Sequence, residues 1–342
     1  MLARTCLVLL LALTSAAPAA LAQSSTPGEG AEVRPAVATW QSAAPTEAVV
    51  RLLLEELGYD VATPRYLANP AFYRAVADGD VDYWLNGWFP IHNTQLPDDF
   101  DVNAEVADRV VQRGALEGYL VDTATAERLG ITSLADFARA DVREAFDVDG
   151  DGRADLVGCP PGWVCRDVIE HHLASYGLTE HVEIVEGPYA AVFDEALRRH
   201  RDGAPILFYT WTPNYTLAEL QPGDQVTWIN VPDIVPLDAQ QGLAYAMTAS
   251  DVPGAVSDPV RLGFVANDIR AVARTELLEE HPAVRALFDA VLLPREDVSA
   301  MTLRVRELGG ADAAVERVAA DWIAQHRGTV DRWLEAARTA AE

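Results

Sequence analysis

Residues 46–92, TEAVVRLLLEELGYDVATPRYLANPAFYRAVADGDVDYWLNGWFPIH, decide the fold class because helical and extended patterns alternate along them. Apolar residues recur at helical spacing from Thr46 to Leu57 and stop at Gly58, a typical helix end. The predicted elements are helices at 46–57 and 70–78 and strands at 59–62 and 81–85. This alternation predicts an α/β lobe with a mostly parallel sheet.

A second α/β pattern begins at Gly118 and continues through short apolar runs that read as strands. From Gly263 a further strand opens, and the rest of the chain is largely helical in pattern. The length is sufficient for two hydrophobic cores. We therefore predict two lobes around a cleft, with the chain crossing between them twice. Lobe 1 comprises 33–116 and 262–342, and lobe 2 comprises 117–261.

The N-terminus has the organisation of an export signal. Arg4 precedes an apolar run from Leu7 to Leu13, and small residues continue to Ala22. We expect a signal peptide at 1–22, cleaved after about Ala22, and a flexible leader at 23–32. The apolar run is too short to span a bilayer as an ordinary helix. The prediction is a soluble, exported protein.

The chain is strongly acidic, with a formal net charge of −26 from 52 acidic and 26 basic residues, and every basic residue is arginine. This balance argues against binding to nucleic acid or to an anionic membrane surface. Acidity of this degree is typical of exported proteins from a GC-rich genome and also of adaptation to high salt. Composition does not separate these two explanations.

Two cysteines remain after removal of the predicted signal peptide, which contains Cys6. Cys159 and Cys165 are separated by five residues, which in an exported protein predicts one local disulfide. The alternative is a zinc site, for which His171 and His172 are the only nearby ligands. These histidines are otherwise most simply interpreted as surface residues.

Three tryptophans lie beside prolines, glycines and turn residues: Trp88 in NGWFPIH, Trp163 in GCPPGWVC and Trp211 in FYTWTPNY. Their neighbours break regular structure, so each indole is predicted to be presented from a bend. Trp88 and Trp211 also follow strands, and α/β sheets bind ligands beyond the carboxyl ends of their strands. Indoles gathered in this way form an aromatic cage suited to quaternary ammonium ions. The alternative is packing of each ring within its own lobe.

Polar groups beside these tryptophans could bind the anionic half of a zwitterion. His92 lies four positions after Trp88 and could donate to a carboxylate, although a lone histidine is more often structural. The backbone amides around Trp163 and Val164 can serve as anion donors. Trp40, at the end of the first predicted strand, could line the cleft, but core packing is the favoured interpretation. The other tryptophans lie in regular patterns and are predicted to pack in the core: Trp84, Trp228, Trp322 and Trp333.

An acidic segment resembles the front of a calcium-binding loop. Carboxylates occupy its first, third, fifth and ninth positions, at Asp147, Asp149, Asp151 and Asp155. Gly158 stands at the twelfth position, where such loops usually carry a bidentate glutamate. The segment is compatible with a structural calcium ion or with an acidic glycine-rich turn, and the turn is slightly favoured. No cofactor is required by any other motif.

Catalytic motifs are absent from the sequence. It contains no GxSxG, HExxH, P-loop or dinucleotide-binding glycine fingerprint. Nothing places a nucleophile beside a base, so we predict a small-molecule receptor and not an enzyme.

Several segments together resemble the periplasmic glycine betaine/proline betaine-binding proteins of osmoprotectant ABC importers (ProX/OpuAC type). The matching segments are LEELGYDV, the tryptophan, proline and histidine of Trp88 to His92, GYLVD, FDVDGDGRADLVGCPPGWVC, YTWTP and VAN. They span the chain from about Val33 to the C-terminal helices. The resemblance implies a type II periplasmic solute-binding fold. It also implies a monomer that delivers its ligand to an ABC permease and ATPase complex.

The same resemblance implies roles for individual residues. The trimethylammonium group would lie among Trp88, Trp163 and Trp211. His92 would contact the ligand carboxylate, assisted by loop backbone amides near Trp163.

Two departures from the family pattern affect the expected pocket. Val164 stands where a family member has glycine, and Phe89 replaces the usual threonine between Trp88 and Pro90. Both changes could reshape the pocket, so the preferred betaine stays open. Choline or carnitine is the alternative ligand, and a secreted enzyme or adhesion module is the alternative class.

Overall fold

The computed structural model describes residues 26–112, 115–161 and 163–342, so the predicted signal peptide lies outside the described residues. The strands are β1 (Glu32–Val33), β2 (Pro35–Ala38), β3 (Asp60–Val61), β4 (Arg65–Leu67), β5 (Tyr83–Phe89), β6 (Ala104–Arg109), β7 (Glu117–Asp122), β8 (Ala154–Val157), β9 (Val182–Ile184), β10 (Leu207–Trp211), β11 (Val226–Ile229), β12 (Thr248–Ala249), β13 (Val260–Arg261) and β14 (Asp268–Arg274). The α-helices are α1 (Ala43–Glu56), α2 (Asn69–Ala77), α3 (Phe100–Asn103), α4 (Thr123–Leu129), α5 (Ala140–Phe146), α6 (Val164–Ser175), α7 (Tyr189–Arg201), α8 (Thr216–Glu219), α9 (Thr275–Glu280), α10 (Pro282–Ala290), α11 (Arg295–Glu307), α12 (Asp312–Gln325) and α13 (Arg327–Ala340). Short 3₁₀ helices occur at Ile91–Gln95, Leu134–Ala138 and Asp238–Ala246.

Ten of these strands form two five-stranded sheets, and the pairs β1-β3 and β12-β13 form two small two-stranded sheets. The first has the order β4-β2-β5-β14-β6 and the second the order β11-β7-β10-β8-β9. Within the first sheet β2 is parallel to β4 and β5, whereas β14 is antiparallel to β5 and β6. The second sheet combines parallel β8, β9 and β10 with antiparallel β7 and β11. The sheets are therefore mixed, because a strand that returns from the other half of the molecule enters the first sheet in the opposite direction.

The chain passes between the two sheets twice, after β6 and before β14. The two passages lie side by side, since the amide of Ala115 donates to the carbonyl of Asn267 at 2.6 Å and the reverse bond measures 2.9 Å. Paired extended segments of this kind are suited to act as a hinge. The lobe boundaries at single-residue level stay a prediction.

Helix α1 shows how the local pattern produces packing. Its apolar face carries Val49, Val50, Leu53 and Leu54, each 0% exposed. Full burial of one such side chain contributes about 1.5–3 kcal/mol to folding. The helix begins at Ala43, three residues before the predicted start.

The two halves of the molecule are in contact around the cleft. The indole nitrogen of Trp211 in the second sheet donates to Ser42 Oγ, before α1, at 3.2 Å. Arg306 of α11 forms an ion pair with Asp194 of α7 and lies 4.8 Å from the ring centroid of Tyr215. The structure is therefore a closed arrangement of the two halves. Within the described part of the chain, no helix is both long and apolar enough to cross a bilayer.

Candidate ligand-binding site

A cavity of about 140 Å³ lies between the two sheets, and aromatic side chains dominate its wall. All five side chains that the sequence singled out for ligand binding line it: Trp88, His92, Trp163, Val164 and Trp211. They come from both sheets and from the segments that follow them, so neither half of the molecule forms the cavity alone.

The indoles form a continuous series of ring contacts. The Trp40 centroid lies 6.5 Å from that of Trp88 and 6.5 Å from that of Trp163. The ring centroid of Trp163 lies 5.6 Å from that of Trp211, and the two ring planes are inclined at 73°. Rings inclined to one another in this way present several faces to one volume, which is the geometry of an aromatic cage.

Trp40 is the member of this series for which the sequence interpretation favoured core packing over the cleft, and it does both. Its ring is half-buried, lines the cavity and connects Trp88 to Trp163. The sequence carries an indication of this role, because Trp40 follows the end of β2 as Trp88 and Trp211 follow apolar strand patterns. The other four tryptophans predicted to pack are all buried: Trp84, Trp228, Trp322 and Trp333.

The expectation that all three cage indoles are presented from bends is wrong for two of them. Trp88 lies within β5, and Trp211 is the last residue of β10. Strand pairing continues up to these residues, and Pro90 and Pro213, which lack an amide donor, stand just beyond. Trp163 does lie outside regular structure, directly before the first residue of α6.

One amide orients two of the indoles. Asn86 Oδ1 accepts the Nε1–H of Trp40 at 2.8 Å and the Nε1–H of Trp88 at 2.9 Å. Asn86 is itself 4% exposed, so these bonds are shielded from water. A buried indole N–H requires an acceptor, and a shared one fixes the relative orientation of the two rings.

The hydrogen bonds of His92 determine its tautomer. Its Nδ1 accepts the backbone N–H of Trp88 at 3.0 Å and lies 2.6 Å from the hydroxyl of Tyr73. Burial lowers the pKa of His92 to about 3, so the ring is neutral at ordinary pH. With Nδ1 accepting, the ring proton resides on Nε2, which lies 2.9 Å from Nδ2 of Asn69, itself a donor. Rotation of the Asn69 amide that exchanges Nδ2 and Oδ1 makes this side chain an acceptor for Nε2–H. Because His92 and Asn69 line the cavity, Nε2–H can donate to a carboxylate there.

The loop before α6 is closed by the disulfide between Cys159 and Cys165, which confirms that prediction. With both sulfurs bonded to each other, neither is available as a thiolate for zinc. The loop places Trp163 and the first turn of α6 against the cavity, with Val164 and Cys165 in its wall. The first amides of a helix have no intrahelical acceptor, so these N–H groups are suited to an anion. Gly162 lies outside the described residues.

A carboxyl group that the sequence interpretation missed also lines the cavity. Glu117, the first residue of β7, accepts a hydrogen bond from the Tyr209 hydroxyl. Burial raises the pKa of Glu117 to about 7 despite that bond. With 52 acidic residues in the chain, no local pattern marks this one.

The acidic loop brings together three of its four predicted ligands. Carboxylate oxygens of Asp147, Asp149 and Asp151 all lie within 4.8 Å of one another. Asp155 instead accepts the amide of Val148 through Oδ2 at 2.7 Å. Internal hydrogen bonds also hold the loop, including Asp147 to the amides of Gly150 and Gly152. Calcium binding stays a prediction.

His172 is buried and not a surface residue as expected. It is 0% exposed, and its Nδ1 lies 3.0 Å from the Tyr119 hydroxyl. Its ring packs against Tyr176 and Phe264. The helical spacing was correct, but α6 turns this position toward the core.

The two mixed sheets, the double crossing and the cavity between them define a solute-binding protein of the type II periplasmic class. Residues 31–325 match the family described as "Substrate binding domain of ABC-type glycine betaine transport system", and the chain belongs to this family. The family assignment made from the sequence motifs is confirmed.

Two curated proteins illustrate the relationship. The chain is 34% identical to the glycine betaine-binding periplasmic protein OusX of Dickeya dadantii, over 97% of this chain and 98% of that protein. It is 31% identical to the glycine betaine/proline betaine-binding periplasmic protein of Salmonella typhimurium, over 92% of each chain.

Solved structures share the fold at lower identity. Lactococcal OpuAC in its closed, glycine betaine-bound conformation superposes with a TM-score of 0.63 at 18% identity, covering 89% of this chain and 99% of that one. An ABC-transporter choline-binding protein in complex with choline gives a TM-score of 0.64 at 18% identity, covering 91% and 98%. At these identities the likeness concerns the fold alone.

Proposed function

We propose that this protein captures glycine betaine or a related quaternary ammonium osmolyte, such as proline betaine, and delivers it to an ABC permease and ATPase complex. The observation that carries the proposal is a cavity walled by four indoles from both halves of the molecule and equipped with a neutral histidine donor. The periplasmic names of the curated relatives support a periplasmic location.

The indoles account for the cationic half of the ligand. A quaternary ammonium ion carries diffuse charge and apolar substituents and cannot donate a hydrogen bond, so aromatic faces attract it while burying its methyl groups. Each desolvated cation–π contact contributes about 2 kcal/mol. Three such contacts supply much of the roughly 8 kcal/mol that corresponds to micromolar affinity.

The carboxylate of a betaine finds its donors on both sides of the cleft. His92 Nε2–H comes from the first half of the molecule, and the amides at the start of α6, including that of Val164, come from the second. A hydrogen bond to a charged acceptor contributes about 1.5–3 kcal/mol. The helix N-terminus adds a favourable dipole for the anion.

Delivery of the ligand to a permease depends on the fact that both halves of the molecule form the cavity. Because Trp40 and Trp88 belong to one half and Trp163 and Trp211 to the other, only the closed arrangement completes the cage. Ligand binding therefore shifts the population toward closure, which a permease can recognise.

Choline or carnitine is the second candidate class. The fold shared with the choline-binding protein is compatible with it, and an aromatic cage accepts any trimethylammonium group. His92 and the α6 amides favour a ligand with a carboxylate, since choline would leave these donors without a charged acceptor.

A thermal-shift screen with glycine betaine, proline betaine, choline, carnitine and proline tests the proposal. We expect both betaines to raise the melting temperature in a concentration-dependent manner, because a ligand that binds only the folded state stabilises it by mass action. Proline, which lacks N-methyl groups, should shift it far less. Equal shifts with proline and glycine betaine, or no shift with any compound, would contradict a quaternary ammonium site.

A further inference from the structure

Glu117 lines the cavity but has no role in the betaine contacts made by the indoles, His92 and the first amides of α6. In the antiparallel pairing of β7 with β10, Glu117 lies directly opposite Trp211. Residues opposite each other project from the same face of a sheet, so the carboxyl group shares the cavity wall with the cage indole. Its hydrogen-bond donor, Tyr209, is two residues before Trp211 and projects from that face as well.

The described part of the cavity wall provides no positive charge to Glu117. Among the described residues that line the cavity, none is arginine or lysine, and Glu117 is the only carboxylic acid. The nearest wall groups are aromatic, with Tyr209 in contact with Trp211 and Phe264. Burying a carboxylate among aromatic rings is costly unless an opposite charge accompanies it.

We propose that Glu117 is the counter-charge for the ligand's quaternary ammonium group, and that ligand binding releases a proton from its carboxyl group to solvent. The inference rests on the proposed function, since it requires a cationic ligand in the cavity. The ammonium group supplies a positive charge that the described wall lacks. The O–H bond of the acid is broken, its proton goes to solvent, and the carboxylate forms an ion pair with the ammonium group. No partner other than water or buffer is needed to accept the proton.

Glu117 also orients a zwitterionic ligand. A ligand carboxylate beside Glu117 would meet a like charge in a poorly screened cavity. The ammonium end is therefore directed to the Glu117 and Trp211 wall. The carboxylate end is directed to His92 and the first amides of α6, where donors are present.

Glu117 is the group in this neighbourhood that titrates near neutral pH. Tyr209 on β10, Tyr119 on β7 and Tyr189 on α7 have pKa values raised well above 10 by burial, and His92 across the cavity has its pKa lowered to about 3. The Glu117 carboxyl has a pKa of about 7 without ligand, and a bound cation lowers it. The ionised form binds better, so affinity rises with pH and levels off above the unliganded pKa.

Isothermal titration calorimetry with glycine betaine, between pH 6 and pH 8 in two buffers of different ionisation enthalpy, tests the inference. If the complexed carboxyl returns to its ordinary pKa, we expect affinity to rise about tenfold over this range. About half a proton should be released per ligand at pH 7, where half of the free carboxyl groups are protonated. Glu117→Gln, which resembles the protonated form, should release none and bind with pH-independent affinity.

The chain provides a matched control. Glu47 is also a buried glutamate that accepts a hydrogen bond from a tyrosine, Tyr83, and has its pKa raised to about 7, but it does not line the cavity. Glu47→Gln should retain both the proton release and the pH dependence of the parent protein.

The outcomes distinguish this inference from the proposed function. Binding of glycine betaine with no buffer-dependent heat and the same affinity at pH 6 and pH 8 overturns the role of Glu117 and leaves the proposed function standing. Proton release that persists in Glu117→Gln overturns it as well. If neither glycine betaine nor tetramethylammonium, which has no carboxylate, binds, both the role of Glu117 and the proposed function are overturned.

Discussion

Asn86 shows how a single polar atom organises the cavity at the scale of residues. Its amide oxygen accepts both indole N–H groups of Trp40 and Trp88, and the rings stand at 89° to each other. Two rings held at this angle before the ligand arrives lose little freedom on binding, so more of the contact energy appears as affinity.

The cage predicts large losses of affinity on removal of single rings. Replacing Trp163 or Trp211 with alanine removes one cation–π contact of about 2 kcal/mol and opens the wall to water, so we expect the affinity for glycine betaine to fall about thirtyfold or more. Isothermal titration calorimetry measures the change, and circular dichroism reports whether the fold is intact.

A tryptophan outside the cavity provides the comparison. Trp333 on α13 stacks on Trp322 and does not line the cavity, so Trp333→Phe should keep the parent affinity. Unchanged affinity in both Trp163→Ala and Trp211→Ala would contradict the cage.

His92 predicts a difference between ligands. In His92→Ala the donor to the ligand carboxylate is lost, so glycine betaine should bind about ten- to a hundredfold more weakly, corresponding to about 1.5–3 kcal/mol. Choline, which has no carboxylate, should change by less than about threefold. Because the pKa of His92 is lowered to about 3, this contribution should be constant from pH 5 to pH 9. Equal losses for both ligands would show that His92 only supports the fold.

At the scale of elements, the junction between β8 and α6 is the part of the fold that places the anion donors. The strand ends at Val157, the disulfide closes the following loop, and the helix starts at Val164 directly against the cavity. Few conformations remain for a loop with two prolines inside a disulfide ring. Trp163 and the first amides of α6 are thus held together as one rigid unit.

Removal of the disulfide should weaken both stability and binding. For a ring of this size the chain-entropy relation gives about 2 kcal/mol of stabilisation. We expect Cys159→Ser with Cys165→Ser to lower the free energy of unfolding by about that amount, measured by urea denaturation. Affinity for glycine betaine should also fall, because the loop must then be ordered on binding. Parent-like affinity in the double variant would mean that the strand and helix alone position Trp163.

At the scale of the whole molecule, ligand affinity and lobe movement are linked. The contacts that join the halves, Trp211 to Ser42 and Arg306 to Asp194, flank a cavity that both halves complete. The Arg306–Asp194 ion pair is only partly buried and contributes little, so the closed state depends mainly on what fills the cavity. A bound cation that touches rings from both halves supplies this differential stabilisation.

Closure predicts a change of shape in solution. Small-angle X-ray scattering should show a smaller radius of gyration for the parent protein after addition of saturating glycine betaine. Trp163→Ala should show no such decrease at the same ligand concentration, because its cage stays incomplete. Identical scattering of the parent protein with and without ligand would contradict ligand-driven closure.

Much of the site could be predicted from local sequence because its residues stand in distinctive surroundings. Trp88, Trp163 and Trp211 were recognised by the prolines and glycines beside them, and the disulfide by two cysteines in an exported chain. For Trp40 core packing was favoured over the cleft, and Glu117 was not recognised at all. Their roles depend on partners far away in the chain. Trp40 donates a hydrogen bond to Asn86, 46 positions away, and Glu117 accepts one from Tyr209, 92 positions away.

The sequence by itself predicted the alternation of helices and strands, the separation into two α/β halves, the family and most of the aromatic wall. These properties follow from periodicity and from residues whose chemistry is unusual for their surroundings. Only the tertiary structure decided which side chains share the cavity, which nitrogen of His92 carries the proton and that a carboxyl group faces the cage. Such features depend on distances between residues remote in the chain and on burial, and neither is encoded in any local pattern.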